Sequence, residues 1–306
     1  MAETVRQIIA ELRKLDVFAV KREDGYEIFY LRDPRAVKWL AKLPNIVVIG
    51  AGGTVDGPQA LTREDWASLG EQPRLRRIAM TNVAPFSGKD HSVFRQFKAL
   101  REFHHSGIKT EGDAALAEIC QCPGIEILGL ERGNIPVEGM KHIRQLTKLK
   151  VLRITGIEVT GELKNILPDS PLESLTADEC KLNDDDVRFL TRFTWLSQVT
   201  ATKCLITDAA LRDFAKMKSL RVLFLCNNSL TTDALADFLM TSTLDEVMLS
   251  PDQVSHLTVT ALEHSRLKSL FVVGDGRVPD DLKARLLRRF TEEHLSITDD
   301  SSVSDE

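Results

Sequence analysis

The chain lacks most of what a membrane, secreted or nucleic-acid-binding protein requires. No uninterrupted apolar run reaches roughly eighteen residues, so no segment is long enough to cross a bilayer as a helix. The opening stretch MAETVRQIIAELRKL sets Glu3, Arg6, Glu11 and Arg13 among its apolar positions, which breaks up a signal-peptide core and reads as an amphipathic helix. Cys120, Cys122, Cys180, Cys204 and Cys226 are an odd and sparse set, which excludes a disulfide framework and predicts reduced thiols. A soluble, cytoplasmic protein is expected. The formal net charge of -5 lacks the basic excess that polyanion binding selects for, so neither nucleic acid nor membrane is an expected partner.

Catalytic constellations are missing too. NIVVIGAGGTVDG runs an apolar strand into GAGG, as a dinucleotide-binding loop does. Counting from Gly50, however, puts Val55 where the third glycine belongs, and Pro58 interrupts the helix that would present its amides to pyrophosphate. A glycine-rich turn accounts for the segment, and no cofactor is expected. Cys120 and Cys122, with His104 and His105 a turn earlier, lack the two-residue gap and the further ligands of a metal site, so buried core thiols are the reading. No nucleophile, base and orienting group can be assembled, so the chain is expected not to be an enzyme.

What the chain does have is a period. Segments of the form apolar-x-x-apolar-x-apolar begin at Leu75, Leu100, Ile125, Leu149, Leu172, Leu196, Leu220, Leu244 and Leu267, at intervals of 25, 25, 24, 23, 24, 24, 24 and 23 residues. A looser copy, IVVIGA, starts at Ile46 and a degenerate one, LDVFAV, at Leu15. By length alone 306 residues suggest two or three domains, but a repeat fold grows by stacking turns around one core, so periodicity takes precedence.

The second half of each repeat keeps the same register. Ten residues after the start stand Ile135, Val159, Leu182, Ile206 and Leu230, followed in several copies by Thr160, Asn183, Thr207 or Thr231, side chains suited to helix N-caps. Met140, Val187, Leu211 and Leu235 sit fifteen after the start, and Ile143, Leu190, Phe214 and Phe238 eighteen after. A separation of three is helical, whereas the alternation of the first half is that of a strand. One turn is therefore strand, loop, short helix, loop.

This pattern resembles the leucine-rich-repeat family, close to its cysteine-containing and bacterial subtypes with helical outer faces. The resemblance covers roughly residues 43 to 275. It implies an α/β solenoid, a horseshoe with a parallel sheet on the concave side and helices on the convex side. It also implies an inward Asn or Cys at the ninth repeat position that satisfies loop backbone groups. Cys180, Cys204 and Asn228 match that position, while Val83, Ile108, Gly133 and Ile157 depart from it, so the ladder is expected to be incomplete there. About ten turns at roughly 4.8 Å each would span about 45 Å.

An open stack needs caps at its ends. Residues 1–42 supply a helix and a hairpin around Asp24-Gly25, or a degenerate repeat; residues 276–290 supply a helix carrying Leu282, Leu286 and Leu287. Residues 291–306 read as a disordered acidic tail, open to phosphorylation.

Function is then sought on the sheet face, where the second, third, fifth and seventh strand positions point outward. The fifth position reads Ala79, His104, Gly129, Arg153, Thr176, Thr200, Phe224, Met248 and Phe271, and the last three form an apolar stripe beside Arg221. Such a stripe marks a binding surface, unless the carboxy-terminal segment covers it or its members pack on one another. Charge alternates toward the other end, from Arg76, Arg77 and Arg101 through Glu126 and Glu131 and then Lys150 and Arg153 to Glu173, Asp178 and Glu179. The expectation is a protein-interaction module or scaffold that is monomeric when free and binds a protein through Phe224, Met248, Phe271, Arg221, Arg153, Arg77 and Arg101. An effector or regulator acting on a partner enzyme, and a self-assembling structural scaffold, are the alternatives.

Overall fold

The computed structural model describes residues 2–52, 61–81, 87–108 and 111–298, so most of the glycine-rich turn after Gly52, with Val83 and the last eight residues, lies outside it. The chain divides into two units, Met1–Arg153 with Asn165–Ser170, and Ile154–Lys164 with Pro171–Glu306.

In the first unit the order is α1 (Ala2–Arg13), β1 (Phe18–Lys21), β2 (Tyr26–Leu31), α2 (Val37–Leu40), β3 (Ile46–Gly52), α3 (Arg63–Ser68), β4 (Arg77–Thr81), β5 (Glu102–Ser106), α4 (Gly112–Ile119), β6 (Ile127–Glu131) and α5 (Val137–Met140). Strands β1 and β2 form an antiparallel hairpin, and β2 through β6 then pair in parallel, each with the next. Gly25 is required at the hairpin turn, since a Cβ there would stand 2.0 Å from the Asn45 carbonyl oxygen. Strand β7 (Val151–Thr155) and helix α6 (Leu163–Ile166) draw residues from both units.

The second unit alternates more evenly: β8 (Ser174–Asp178), α7 (Asp184–Leu190), β9 (Gln198–Thr200), α8 (Asp208–Phe214), β10 (Val222–Phe224), α9 (Thr232–Thr241), β11 (Glu246–Leu249), α10 (His256–His264), β12 (Ser269–Val273), α11 (Asp280–Arg289) and β13 (Leu295–Thr298). Strands β8 to β13 are parallel throughout and lie in sequence order. The fold is an α/β leucine-rich-repeat solenoid, because each strand returns through a helix to pair beside its predecessor.

Period-two alternation explains each strand. Leu175 and Ala177, Val199 and Ala201, Leu223 and Leu225, Val247 and Leu249, and Leu270 and Val272 are all buried, while the residues between them face outward. Each fully buried Leu or Val contributes roughly 1.5–3 kcal/mol by leaving water. A repeated backbone device sets the register, in which the carbonyl of the second strand position accepts two amides of the following turn. Ser197 takes Arg221 and Val222, Arg221 takes Asp245 and Glu246, and Asp245 takes Lys268 and Ser269.

The ninth position does what the resemblance implies. Asn228 donates from Nδ2 to the carbonyls of Ala201 at 2.7 Å and Leu225 at 3.0 Å, and its Oδ1 accepts the amides of Cys204 and Ile206, both at 3.2 Å. The Cys204 thiol donates to Ala177 O at 3.2 Å and the Cys180 thiol to Asp178 O at 3.2 Å. Burial pushes the Cys180 thiol up to about 12, so it stays protonated and able to donate. The eighth position holds a second regularity: Gly107, Arg132, Gly156, Glu179, Lys203 and Asn227 all have positive φ, which turns the chain out of the strand.

Four points differ from the sequence reading. Asn183, Thr207 and Thr231 do cap α7, α8 and α9, but the Thr160 hydroxyl is buried without a hydrogen bond; the carboxylate of Asp186, from the next turn, takes the Gly161 and Leu163 amides instead. Cys226, at a seventh position counted as outward, is buried, because the strand has already begun to turn inward at the loop. Within the supposed tail, Leu295–Thr298 forms β13: alternating Leu295 and Ile297 let the segment add one more parallel strand beside β12. The inward sixth position of β5, apolar in the neighbouring strands at Met80 and Leu130, is held by a buried histidine, His105.

Candidate functional site

In the second unit, pairing aligns Thr176, Thr200, Phe224, Met248, Phe271 and Ser296 in one row across β8 to β13. Phe224 and Phe271 are two strands apart, yet their rings meet edge to face, with centroids 5.9 Å apart and planes at 67°. They lean toward each other over the row position of Met248, and all three side chains are half-buried. An edge-to-face pair contributes about 0.5–1.5 kcal/mol beyond its area, so the stripe is partly self-packed and still reaches solvent. Among the described residues, β13 lies beside the row and extends it with Ser296.

Polar groups border the stripe. On one side Lys268 meets Asp245 at 2.9 Å, with Glu246 beside them. On the other, Thr202 donates its amide and hydroxyl to Asp178 at 2.8 and 2.7 Å, and Lys203 bridges to Glu179 at 2.9 Å. The Glu179 carboxylate holds the Lys203 ammonium above its usual range, with Asp275 adding to the effect. Val273, beyond Phe271, is 37% exposed and widens the apolar area at its edge.

The arginines behave differently from the stripe. Arg221 Nη1 donates to the Lys218 and Leu220 carbonyls at 2.9 and 2.8 Å, which turns the guanidinium back to the loop before β10. Arg101 in the first unit makes the same contacts, to Lys98 O at 3.3 Å and Leu100 O at 2.9 Å. Both side chains brace a turn. Arg77 reaches Glu102 at 3.3 Å, Glu102 also accepts from His104 Nε2 at 2.7 Å, and Glu126 lies between Arg101 and Lys150. Gly129 leaves the room the His104 ring occupies, since a Cβ there would stand 2.2 Å from Nδ1. The expected basic patch is thus a neutralised cross-strand ladder. Arg153 is exposed, and it falls in the first unit while the stripe falls in the second.

His104 and His105 point to opposite faces, and Cys120 and Cys122 are buried. Among the described residues no group of three His, Cys, Asp or Glu side chains could hold a metal ion, and no helix is long and apolar enough to cross a membrane.

The parallel strand-and-helix turns and their asparagine–cysteine ladder define the fold as a leucine-rich-repeat solenoid. Among solved structures the chain is similar to TLR13 in its complex with ssRNA13, at 14% identity and a TM-score of 0.52, over 84% of this chain and 40% of that one. It also matches an internalin C2 from Listeria monocytogenes str. 4b F2365 at 13% identity and a TM-score of 0.38, over 74% of this chain and 80% of that one. The plant peptide hormone receptor RGFR1, in complex with RGF2, matches at 14% identity and a TM-score of 0.38, over 84% and 41%. At 14% identity and a TM-score of 0.52, the likeness to TLR13 is one of fold. No family model and no curated protein sequence matches the chain.

Proposed function

We propose that this protein acts by binding a protein partner on the sheet face of its second unit, without catalysis. The observation that carries the reading is the edge-to-face Phe224–Phe271 pair flanking Met248 in the row, a half-buried apolar anchor bordered by charges of both signs. Buried aromatic anchors inside a polar rim are how a few residues dominate affinity. The neighbouring charges are paired with one another, which suits a partner of mixed charge better than a polyanion. On the first unit, taken by itself, Arg77, Arg101 and Arg153 are proposed as further contacts for a protein partner. Buried free thiols support a reducing, cytoplasmic setting, and the Cys180, Cys204 and Asn228 ladder supports kinship with the cysteine-containing and bacterial subtypes.

Affinity purification from cells of the native host tests the reading, comparing wild type with Met248→Lys and Phe271→Ala. Met240→Lys, at an exposed position on α9, is the control. A partner protein retained by wild type and by the control, and lost from both stripe variants at unchanged fold, is the expected result. Retention by all four overturns it. Direct titration with single-stranded RNA is the second arm, and tight binding that weakens steeply with salt would replace the protein partner with a nucleic acid.

A further inference from the structure

Resting on the protein-binding reading of the second unit's sheet face, we propose that the segment the stripe receives is cationic. Its apolar anchor seats on Phe224, Met248 and Phe271, and Lys or Arg side chains flank that anchor on both sides. The ion pairs around the stripe cancel one another, and what they leave over is negative.

On one side of the stripe, the row of third strand positions across β9 to β12 reads Gln198, Val222, Glu246 and Ser269, so Glu246 has no cation beside it on either neighbouring strand. Its side chain is half-buried and, among the described residues, makes no hydrogen bond or ion pair. A carboxylate partly withdrawn from water without a counter-charge is costly, and a cation brought by a partner offsets that cost. The next row out supplies no spare cation. There Glu173 and Asp245 equal Arg221 and Lys268 in number, Lys268 is held by Asp245 at 2.9 Å, and Arg221 turns back to its loop.

On the other side, beyond Phe224, carboxylates outnumber cations. Thr202 gives both its amide and its hydroxyl to one oxygen of Asp178, Oδ1, which fixes the carboxylate and leaves Oδ2 without a hydrogen bond. Burial raises the Cys226 thiol, and the charges of Asp178 and Asp252 add to the rise; Glu179 raises the Lys203 ammonium, and Asp275 and Asp178 add to that. Asp178, Asp252 and Asp275 therefore converge near the strand end that follows Phe224. The cations of these loops are already engaged, Lys203 with Glu179 at 2.9 Å, Lys181 with Glu158 at 2.7 Å and Arg277 with Asp280 at 2.8 Å. Asp178, Asp252 and Asp275 have no ion pair among the described residues.

Spacing matches this remainder to a guest. Same-face positions along a strand lie about 7 Å apart, and Glu246 and Asp178 each stand one such step from the apolar row, on opposite sides of it. An extended segment has the same repeat, so Lys or Arg two residues before and two after an apolar anchor reaches both sides while the anchor meets the rings. Long cationic side chains also lay their methylene stems on apolar surface, which Val222 and Val273 supply at the two borders. An anionic segment would meet like charge on both sides.

Selection of a random phage-displayed peptide library on the immobilised full chain tests the proposal. Enriched sequences should carry Lys or Arg on both sides of an apolar residue, and their binding should fall by more than about tenfold in Met248→Lys and Phe271→Ala. In fluorescence titrations of the most enriched peptide, Glu246→Gln and Asp178→Asn should each weaken binding roughly fivefold at unchanged melting temperature. Asp178→Asn keeps an oxygen for Thr202. Raising salt from about 0.05 M to about 0.5 M should weaken wild type more than Glu246→Gln. Peptides that need the stripe but carry no cationic flank, or that bind Glu246→Gln and Asp178→Asn as tightly as wild type, overturn the cationic partner and leave the protein-binding stripe standing. Peptides indifferent to Met248→Lys and Phe271→Ala, or no enrichment at all, overturn both.

Discussion

The two units build the same kind of turn with different interiors. In the second, short polar side chains at the ninth position bind loop backbone in a ladder running from Cys180 through Cys204 to Asn228. In the first, the corresponding positions described are Ile108 and Gly133, and the interior is filled by rings: Trp66 meets Phe94 at 5.1 Å, Phe94 meets Phe103 at 5.1 Å, and His91 meets His105 at 5.4 Å. A 3-10 helix, Gly88–Gln96, stands where the second unit has α-helices, and carries His91 and Phe94 into that cluster. Backbone satisfaction by a side-chain ladder allows thin, regular turns, whereas bulky rings fill wider turns through packing alone.

The largest effect should come from removing the ring cluster. Trp66→Ala empties a site with no solvent exposure and should cost about 3–5 kcal/mol, with amide protection lost first in the first unit by hydrogen exchange. Equal loss of protection in both units would show that the two interiors unfold as one. Asn228→Ala is the matching test in the second unit. It strands the amides and carbonyls that its side chain satisfies and should cost about 2–3 kcal/mol in urea unfolding. Asn228→Asp, which keeps the acceptor and loses the donors, should fall between.

Acid separates the units next. Desolvation lowers His91 from 6.5 to about 4 and His105 to about 3, the second further depressed by the first. Both imidazoles are therefore neutral in the folded state, with folded pKa values below the unfolded one. Their contribution is complete above pH 6.5 and is lost as pH falls from there toward 4 and 3, at up to about 1.4 kcal/mol per pH unit for each ring. His105→Leu installs the aliphatic residue that other turns carry at this position. It should flatten the acid limb of a stability-versus-pH curve between pH 6.5 and 4, and an unchanged slope would assign the acid loss to carboxylates. The smallest expected effect is a symmetric one. Arg101→Ala and Arg221→Ala remove the same brace from a turn in each unit and should each cost under about 1 kcal/mol by thermal melting. A large difference between them would mean that one of the two does more than brace its turn.

Much of this is legible in the strand halves of the repeats, because a buried face with a strict period of two leaves no freedom in which residues turn inward. The row Phe224, Met248, Phe271 follows from counting along the repeats alone. The bend of the Arg221 guanidinium toward Lys218 O does not, because a long flexible side chain takes whichever acceptor the local loop offers. Strand β13 is hidden for another reason. SIT followed by DDSSVSDE reads as solvated tail by composition, and its first residues become a strand because β12 presents beside them the edge that β11 does not occupy. The glycines at positions 107, 156 and 274, each eighth in its repeat, are a usable signal for the positive-φ turn that Arg132, Glu179 and Lys203 also adopt.

By itself, the sequence determined the repeat length, the inward leucines, the N-cap residues of three helices and the Cys/Asn ladder, all of which follow from local periodicity and hydrogen-bonding chemistry. Tertiary structure alone decided that the Phe224 and Phe271 rings meet across the strand that carries Met248, which arginines turn back to their own loops, and that Leu295–Thr298 joins the sheet. Those depend on which groups meet across turns about 24 residues apart, where sequence spacing sets the neighbour but packing decides the contact.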